Sequence, residues 1–278
     1  MALSPLGRCL AIALCLGAVR GAVAQPAATA EPPTSAEART ESARSRRGRP
    51  LPIDTDIDRS VAIPPAATHH HGREIAQAMH FTGAPWLMRE SRQREEDCRL
   101  MLEALDVRPG QTICDMGSGN GFYTLELARR VGPTGTVYAV DIQLEMLRML
   151  AERAGDEGLA NIKPILGTAI DPRLPRGAID LVLMVDVYHE FSHPEAMLER
   201  LRESLADSGR IALVEFRGED PAVPIKPLHK MTKEQIRTEF EPGGFEVVRE
   251  FDRLPWQHLV FLSPTKEGVP SGESGETR

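Results

Sequence analysis

The chain has 278 residues, 41% of them hydrophobic and 26% charged, with a net charge of −7 at neutral pH. That length suffices for one domain with a large core. The acidic balance excludes nucleic acid as a partner held by general charge attraction.

The first element is Leu10 to Val19, a short apolar run behind Arg8, followed by Ala22-Val23-Ala24. This is the pattern of a secretory signal with a small-x-small cleavage site, cut after Ala24. The run is short for a membrane span, so no stable span is expected once it is cut. With no twin-arginine pair and no lipobox cysteine, Sec-type export to the periplasm is expected, and retention in the cytoplasm is the alternative. Residues 25–71 read as a disordered tether, and Arg44, Arg46, Arg47 and Arg49 within it as solvated charge. His69-His70-His71 suggests a metal, but metal ligands need fixed geometry and supporting partners, so no metal is assigned. Cys9 and Cys15 fall in the signal. Cys98 and Cys114 read as small core residues rather than a disulfide.

Residues 72–105 read as an amphipathic helical preface to the domain. Trp86, Arg89 and Glu90 either cover a ligand site or belong to a face of surface ion pairs such as Glu90 with Arg94.

A strand is then expected over Gln111-Thr112-Ile113-Cys114. It ends in Asp115-Met116-Gly117-Ser118-Gly119-Asn120-Gly121 and enters a helix at Phe122 to Ala128. Alternate glycines let backbone approach a ligand closely, and the helix N-terminus aims N–H groups at it. Gly135 to Asp141 is a second apolar strand ending in an acid about 20 residues past the glycines, where α/β nucleotide sites place a carboxylate on ribose hydroxyls. Asn161 to Leu166 is a third strand. The link from Asp171 to Ala178 carries Pro172 and Pro175 and leaves little room for a helix.

Ile179 to Asp186 reads as a fourth, buried parallel strand. Pro194 to Ala206 has helical periodicity, with Ser192 and Glu195 as a capping box, and Gly209 to Phe216 is a fifth strand. Thr232 to Gln235 opens another helix toward Phe240, ended by Gly243-Gly244. Phe245 to Phe251 and Trp256 to Leu262 close the fold as strands.

The motif Asp-x-Gly-x-Gly-x-Gly, with Asp141 closing the next strand, resembles the class I S-adenosylmethionine (SAM)-dependent methyltransferases, in particular the small-molecule type 11/25-like group. The resemblance covers Gly72 to Leu262. It implies an α/β Rossmann-like three-layer sandwich over 106–262, with a mostly parallel seven-stranded sheet and one antiparallel strand. Residues 263–278 read as a disordered tail. The resemblance also implies SAM as cofactor. Asp115 would meet the methionyl ammonium, and the loop of Gly117, Ser118, Gly119, Asn120 and Gly121 would cradle the ligand. Asp141 would hold the ribose, with Ile142 beside it. Asp186 would end the fourth strand next to the ligand. Thr168 stands where the family often has an acid for the adenine amino group, a departure that weakens that contact.

The dinucleotide fingerprint wants Gly-x-Gly-x-x-Gly, whereas position 122 is Phe, and Asp115 would repel a pyrophosphate. An NAD-dependent oxidoreductase is therefore the weaker reading. No Asn-Pro-Pro-Tyr motif follows the fourth strand, which argues against methylation of DNA bases or protein glutamine. A small-molecule acceptor is expected. An exported, non-catalytic SAM- or nucleoside-binding protein of the same fold is the alternative.

Ligands bind outside the carboxyl ends of such strands, so Tyr188, His189 and Glu190 lie beside the cofactor. His189 is the candidate base, Glu190 orients it or acts itself, and Tyr188 contacts substrate. In the other reading His189 caps the following helix and Tyr188 packs inward. After the fifth strand, Lys226, His229 and Lys230 either form a cationic pocket for an anionic acceptor or belong to a surface loop. His258 reads as a core or edge histidine rather than a ligand.

Overall fold

The computed structural model describes residues 48–265. The expected signal sequence with Cys9 and Cys15, the first part of the tether, and the tail beyond Thr265 lie outside the described residues.

The sheet forms where the sequence runs are apolar. β3 (Thr112–Met116), β4 (Thr136–Asp141), β5 (Ile162–Leu166), β6 (Ile179–Val185) and β7 (Leu205–Arg217) are its parallel part. With β9 (Phe245–Phe251) and β10 (Gln257–Pro264) they stand in the order β5-β4-β3-β6-β7-β10-β9. β10 runs antiparallel to both its neighbours and is the expected reversed strand. A two-residue strand, β8 (Lys230–Met231), adds to the end of β7.

Successive residues of the central strands feed opposite faces, as the two-residue period of a strand requires. Leu181 and Leu183 of β6 join one apolar cluster, and Val182 and Met184 join the other. The first cluster packs under α3 (Cys98–Ala104), α4 (Phe122–Val131) and α5 (Leu144–Asp156), and the second under α6 (Pro194–Ser204) and α7 (Lys233–Phe240). The result is the expected three-layer sandwich. From β3 the chain adds β4 and β5 on one side and then β6 and β7 on the other. This switch opens a crevice at the carboxyl ends of β3 and β6.

Several local expectations are met. Thr232 caps α7 by accepting from Gln235 N at 3.0 Å. No helix intervenes between β5 and β6. Cys98 and Cys114 are buried and free. Separately, among the described residues no helix is long and apolar enough to cross a membrane, and the run Leu10 to Val19 lies outside them.

Others are corrected. Ser192 does not cap α6. His193 holds the N-cap position with Pro194 as the first helical residue, and the Ser192 hydroxyl faces His193 Nδ1 at 2.9 Å. The fifth strand starts at Leu205 rather than Gly209 and is shifted in register against β6 near Ile179. The preface is not one helix. It is a hairpin of β1 (His69–His70) and β2 (Arg73–Glu74), then α1 (Ala84–Leu87), α2 (Arg92–Glu96) and α3. Asp97 separates α2 from α3 in the left-handed conformation, which an acid tolerates because its short side chain bonds locally, here accepting from Leu100 N.

The described end of the expected tether, 48–71, runs against the domain. Asp54 pairs with the edge strand β5, donating to Pro164 O at 2.9 Å and accepting from Leu166 N at 2.8 Å. Leu51 N donates to Ala151 O on α5.

Candidate functional site

A cavity of about 640 Å3 opens at the carboxyl ends of β3, β4 and β6. Three sets of residues line it. The first is the glycine loop and the end of β4, with Gly117, Gly119, Asp141 and Ile142. The second is the turn after β6, with Asp186, His189 and Glu190. The third is the loop after β7, with Ile225, Lys226 and His229. Gln77, Met79, Trp86, Leu87 and Arg92 of the preface complete the wall.

The glycine loop turns through Gly117, Gly119 and Gly121, all at positive φ. At Gly117 (φ +72) a Cβ would meet Val187 Cγ2 at 2.3 Å, so no side chain fits between this loop and the turn after β6. Gly117 N and Ser118 N both donate to Val140 O, which ties the loop to β4. Gly119 N donates to Asp141 Oδ2 at 2.9 Å, and Gln143 N donates to Oδ1 at 2.8 Å. The Asp141 carboxylate is thus fixed by one backbone N–H on each oxygen, with lone pairs left for a ligand. Burial holds its pKa above the ordinary value, although these N–H bonds pull it down.

Not every expected residue reaches the cavity. Asp115 is buried behind the loop and accepts from Thr124 Oγ1 at 2.5 Å. Burial pushes its pKa up to about 6. Ser118, Asn120 and Gly121 shape the loop without lining the cavity. Arg153 braces them by donating to Asn120 O at 2.6 Å. Thr168 lines the cavity, but its hydroxyl accepts from Asp171 N at 3.0 Å and so caps its own turn.

Asp186 is the first residue after β6 and adopts φ +51, which turns the chain out of the sheet. Oδ2 accepts from Gln257 Nε2 at 2.8 Å, while Oδ1 is buried without a hydrogen-bond partner among the described residues. Burial first, then the nearby Glu96 and Glu215 carboxylates, raise its pKa well above the usual range.

Of the three candidate catalytic residues, the structure separates Tyr188 from the others. Its ring is fully buried against Phe240, with centroids 4.5 Å apart, and Phe191, and it does not line the cavity. A substrate contact by Tyr188 is therefore corrected to core packing. His189 lines the cavity but has both ring nitrogens engaged. Nδ1 lies 2.6 Å from Glu215 Oε2, and Nε2 lies 3.0 Å from His229 Nδ1. Burial works against the charged imidazole, but the Glu215 carboxylate outweighs it and leaves the pKa raised. His229 goes the other way, lowered by burial and by His189 and Lys226. Glu190 accepts from Met79 N at 3.2 Å, and burial brings its pKa to about 7.

The cationic pocket keeps two of its three members. Lys226 and His229 line the cavity, whereas Lys230 Nζ donates to Val223 O and Asp220 O. His258 is buried on the interior strand β10 beside Glu219 and does not line the cavity, as a core histidine. In the preface, Trp86 lines the cavity with Arg89 stacked 3.6 Å from its ring centre. Glu90 does not line it. Arg89 and Arg92 converge on buried Glu96 in place of the expected Glu90–Arg94 pair.

Glu215, Gln143 and Arg92 were not legible as site residues. Glu215 carried one signal, as the single acid in the buried run Ile211 to Phe216. A fully buried carboxylate needs a partner, and here it is His189.

The residues present fit a nucleoside bearing a cation. Asp141 presents a fixed carboxylate at the end of β4, and Asp186, whose buried Oδ1 has no hydrogen-bond partner among the described residues, lines the cavity.

A family model described as a methyltransferase domain matches residues 108–253. Nocamycin O-methyltransferase of Saccharothrix syringae is 36% identical over 115 residues, which is 41% of this chain and 41% of that protein. A ubiquinone/menaquinone biosynthesis C-methyltransferase of Ectopseudomonas mendocina is 32% identical over 119 residues, 42% of this chain and 46% of that protein. The chain thus spans less than half the length of these curated relatives. A SAM-dependent methyltransferase from Aquifex aeolicus superposes with a TM-score of 0.63 at 25% identity, covering 66% of this chain and 98% of that one. A putative type 11 methyltransferase from Sulfolobus solfataricus shares the fold, with a TM-score of 0.51 at 20% identity over 63% of this chain and 95% of that one.

Proposed function

This chain belongs to the SAM-dependent methyltransferase family, and from that premise we propose that it transfers a methyl group from SAM to a small-molecule acceptor bound in the same cavity. The observation that carries the reading is the Asp141 carboxylate, fixed by Gly119 N and Gln143 N at the end of β4 and facing the cavity.

SAM supplies an electrophilic methyl group on a sulfonium. The chain's part is to position both reactants and to exclude water. Asp141 accepts from the vicinal ribose hydroxyls. Gly117 and Gly119 let the backbone approach, and exposed Ile142 offers an apolar wall for the base. The acceptor lies between the cofactor and the far wall of Phe191, Met197, Ile225, Lys226, His229 and Glu190. That wall is half apolar, with one ammonium and two further ionisable groups, and suits a compact acceptor with an ionisable oxygen.

Export to the periplasm is part of the proposal. Its support is the apolar run Leu10 to Val19 behind Arg8 and the small residues Ala22 and Ala24. A mature protein recovered from the periplasm and beginning at Gln25 is expected. A full-length cytoplasmic product would refute it.

The test of function is calorimetry of the chain from Gln25 onward with SAM, S-adenosylhomocysteine and NAD. Micromolar binding of the two sulfur nucleosides and none of NAD is expected, and would justify screening phenolic and carboxylic acceptors with labelled SAM. Absence of any binding would overturn the reading.

A further inference from the structure

We propose that His189, His229 and Glu190 form a binding site for a divalent transition-metal ion at the acceptor end of the cavity. Two turns bring them together, Tyr188–Glu190 after β6 and Pro227–His229 after β7. Those strands are parallel neighbours, paired Val185 with Val214, so both turns emerge at one end of the sheet. One ligand atom from each of the three residues lies within 4.8 Å of the other two.

The partner behind the cluster is the second observation. Glu215 is fully buried in β7 and meets His189 Nδ1 at 2.6 Å, while its other oxygen accepts from His189 N at 3.3 Å. A carboxylate on the far nitrogen fixes the imidazole tautomer and orientation and raises its basicity. That is how metal-binding histidines are held. With Nδ1 protonated toward Glu215, Nε2 presents a lone pair, and it points at His229 Nδ1 only 3.0 Å away. Two imidazole nitrogens 3.0 Å apart, with a carboxylate oxygen within 4.8 Å of both residues' ligand atoms, suit a cation.

A second group, His70, His71 and Glu195, sits in a separate groove. His71 and Glu195 are exposed, and the nearest carboxylate to His70 Nε2, Glu239, is 3.9 Å away and held by Arg73. This group lacks the supporting partner.

Two imidazoles with one carboxylate favour Zn2+, Co2+ or Fe2+ over Mg2+ or Ca2+, which prefer oxygen ligands. Three protein ligands leave coordination positions open toward the cavity. The consequence rests on the methyl-transfer reading, whereas binding of the ion does not. An acceptor hydroxyl placed on the ion gives up its proton to water. Its oxygen lone pair forms the new O–CH3 bond as the S–CH3 bond breaks, and that electron pair stays on sulfur. The products are a methyl ether, S-adenosylhomocysteine and one proton, with no change of oxidation state at the ion.

The test uses the chelator-stripped mature chain titrated with Co2+, followed by visible absorption, and with Zn2+, followed by calorimetry. One equivalent per chain is expected, with d–d bands of nitrogen and oxygen ligands. His229→Ala and Glu190→Gln are expected to weaken binding at least ten-fold, and Glu215→Gln by about 10- to 100-fold. His71→Ala is expected to leave the titration unchanged. No stoichiometric binding, a His229→Ala titration identical to the parent, or loss of binding in His71→Ala would each overturn the proposal. His229 sits on a partly exposed turn, so that variant remains informative if Glu215→Gln fails to fold. S-adenosylhomocysteine affinity on the same samples separates the two readings. Nucleoside binding without metal binding sinks the ion alone, and metal binding without nucleoside binding sinks the cofactor reading and leaves the ion standing.

Discussion

Gln143 fastens the preface to the cavity by gripping the backbone around Met79. Its Nε2 donates to Met79 O at 2.8 Å, and its Oε1 accepts from Phe81 N at 2.8 Å. Its own backbone N donates to Asp141 Oδ1. One residue therefore links the Gln77–Met79 wall to the carboxylate that faces the ligand.

Gln143→Ala removes two side-chain hydrogen bonds, each worth about 1 kcal/mol. We expect S-adenosylhomocysteine affinity to fall roughly 10-fold, mainly through faster dissociation in stopped-flow fluorescence. A weaker complex with an unchanged dissociation rate would argue against the fastening role.

Asp141→Ala is expected to weaken SAM binding by about 100-fold or more, since hydrogen bonds to a charged group contribute roughly 1.5–3 kcal/mol each. Because Gly119 N and Gln143 N also lose their acceptor, Asp141→Asn serves as the gentler variant, with a smaller loss in calorimetry. His189→Ala should show the opposite split, with turnover falling far more than nucleoside affinity. Full affinity in Asp141→Ala would remove the ribose assignment.

Gly117→Ala adds a Cβ that meets Val187 Cγ2 at 2.3 Å, on a residue at φ +72. Overpacking and strain of this kind cost about 1–3 kcal/mol each, and urea unfolding should show it. Adding Val187→Ala removes the Cγ contacts but leaves the 2.9 Å contact with the residue's Cβ and the backbone strain, so the double variant should recover part of the loss. No recovery at all would mean that the clash is not the cause.

Asp115 gives a pH signature. Burial raises its carboxyl to about 6 in the folded chain, against an unfolded value near 4. The folded state therefore holds this proton more tightly. The stabilisation is fully present below the unfolded value and is lost as pH rises through 6. It amounts to roughly 2–3 kcal/mol. Asp115→Asn should flatten that part of the stability profile of the ligand-free protein between pH 4 and 7, read by denaturant unfolding. A profile that keeps the parent slope would place the proton elsewhere.

Much of the frame was legible because it rests on local signals. β6 is apolar at every position but Asp180, and the acid closing β4 follows from chain spacing. The Thr232 cap is a three-residue pattern, and it forms as read. The errors arise where a distant partner decides. Tyr188 is polar at its tip and sits in a site loop, yet Phe240 of α7 draws its ring into the core. The preface looked like one amphipathic helix because its charges recur. Buried Glu96 gathers Arg89 and Arg92 instead, and left-handed Asp97 ends α2 before α3 begins. Glu215 and His189 lie 26 positions apart, and only the pairing of β6 with β7 joins them.

The pairing of Asp54 with β5 bears on how the sheet edge is shielded. β5 ends the sheet, and an unpaired edge offers a row of N–H and C=O groups on which another chain can template. The segment around Asp54 occupies part of that row, held by Arg173 on the Asp54 carboxylate at 2.6 Å. At the far edge, β9 shows solvent Glu246 and Arg249, charges that discourage a further strand. A fragment trimmed to 108–253 would bare β5 and lose β10, which separates β7 from β9. Such a minimal domain would carry the glycine loop and Asp141 intact and still be prone to aggregate, because the parts that keep neighbouring molecules apart lie outside it.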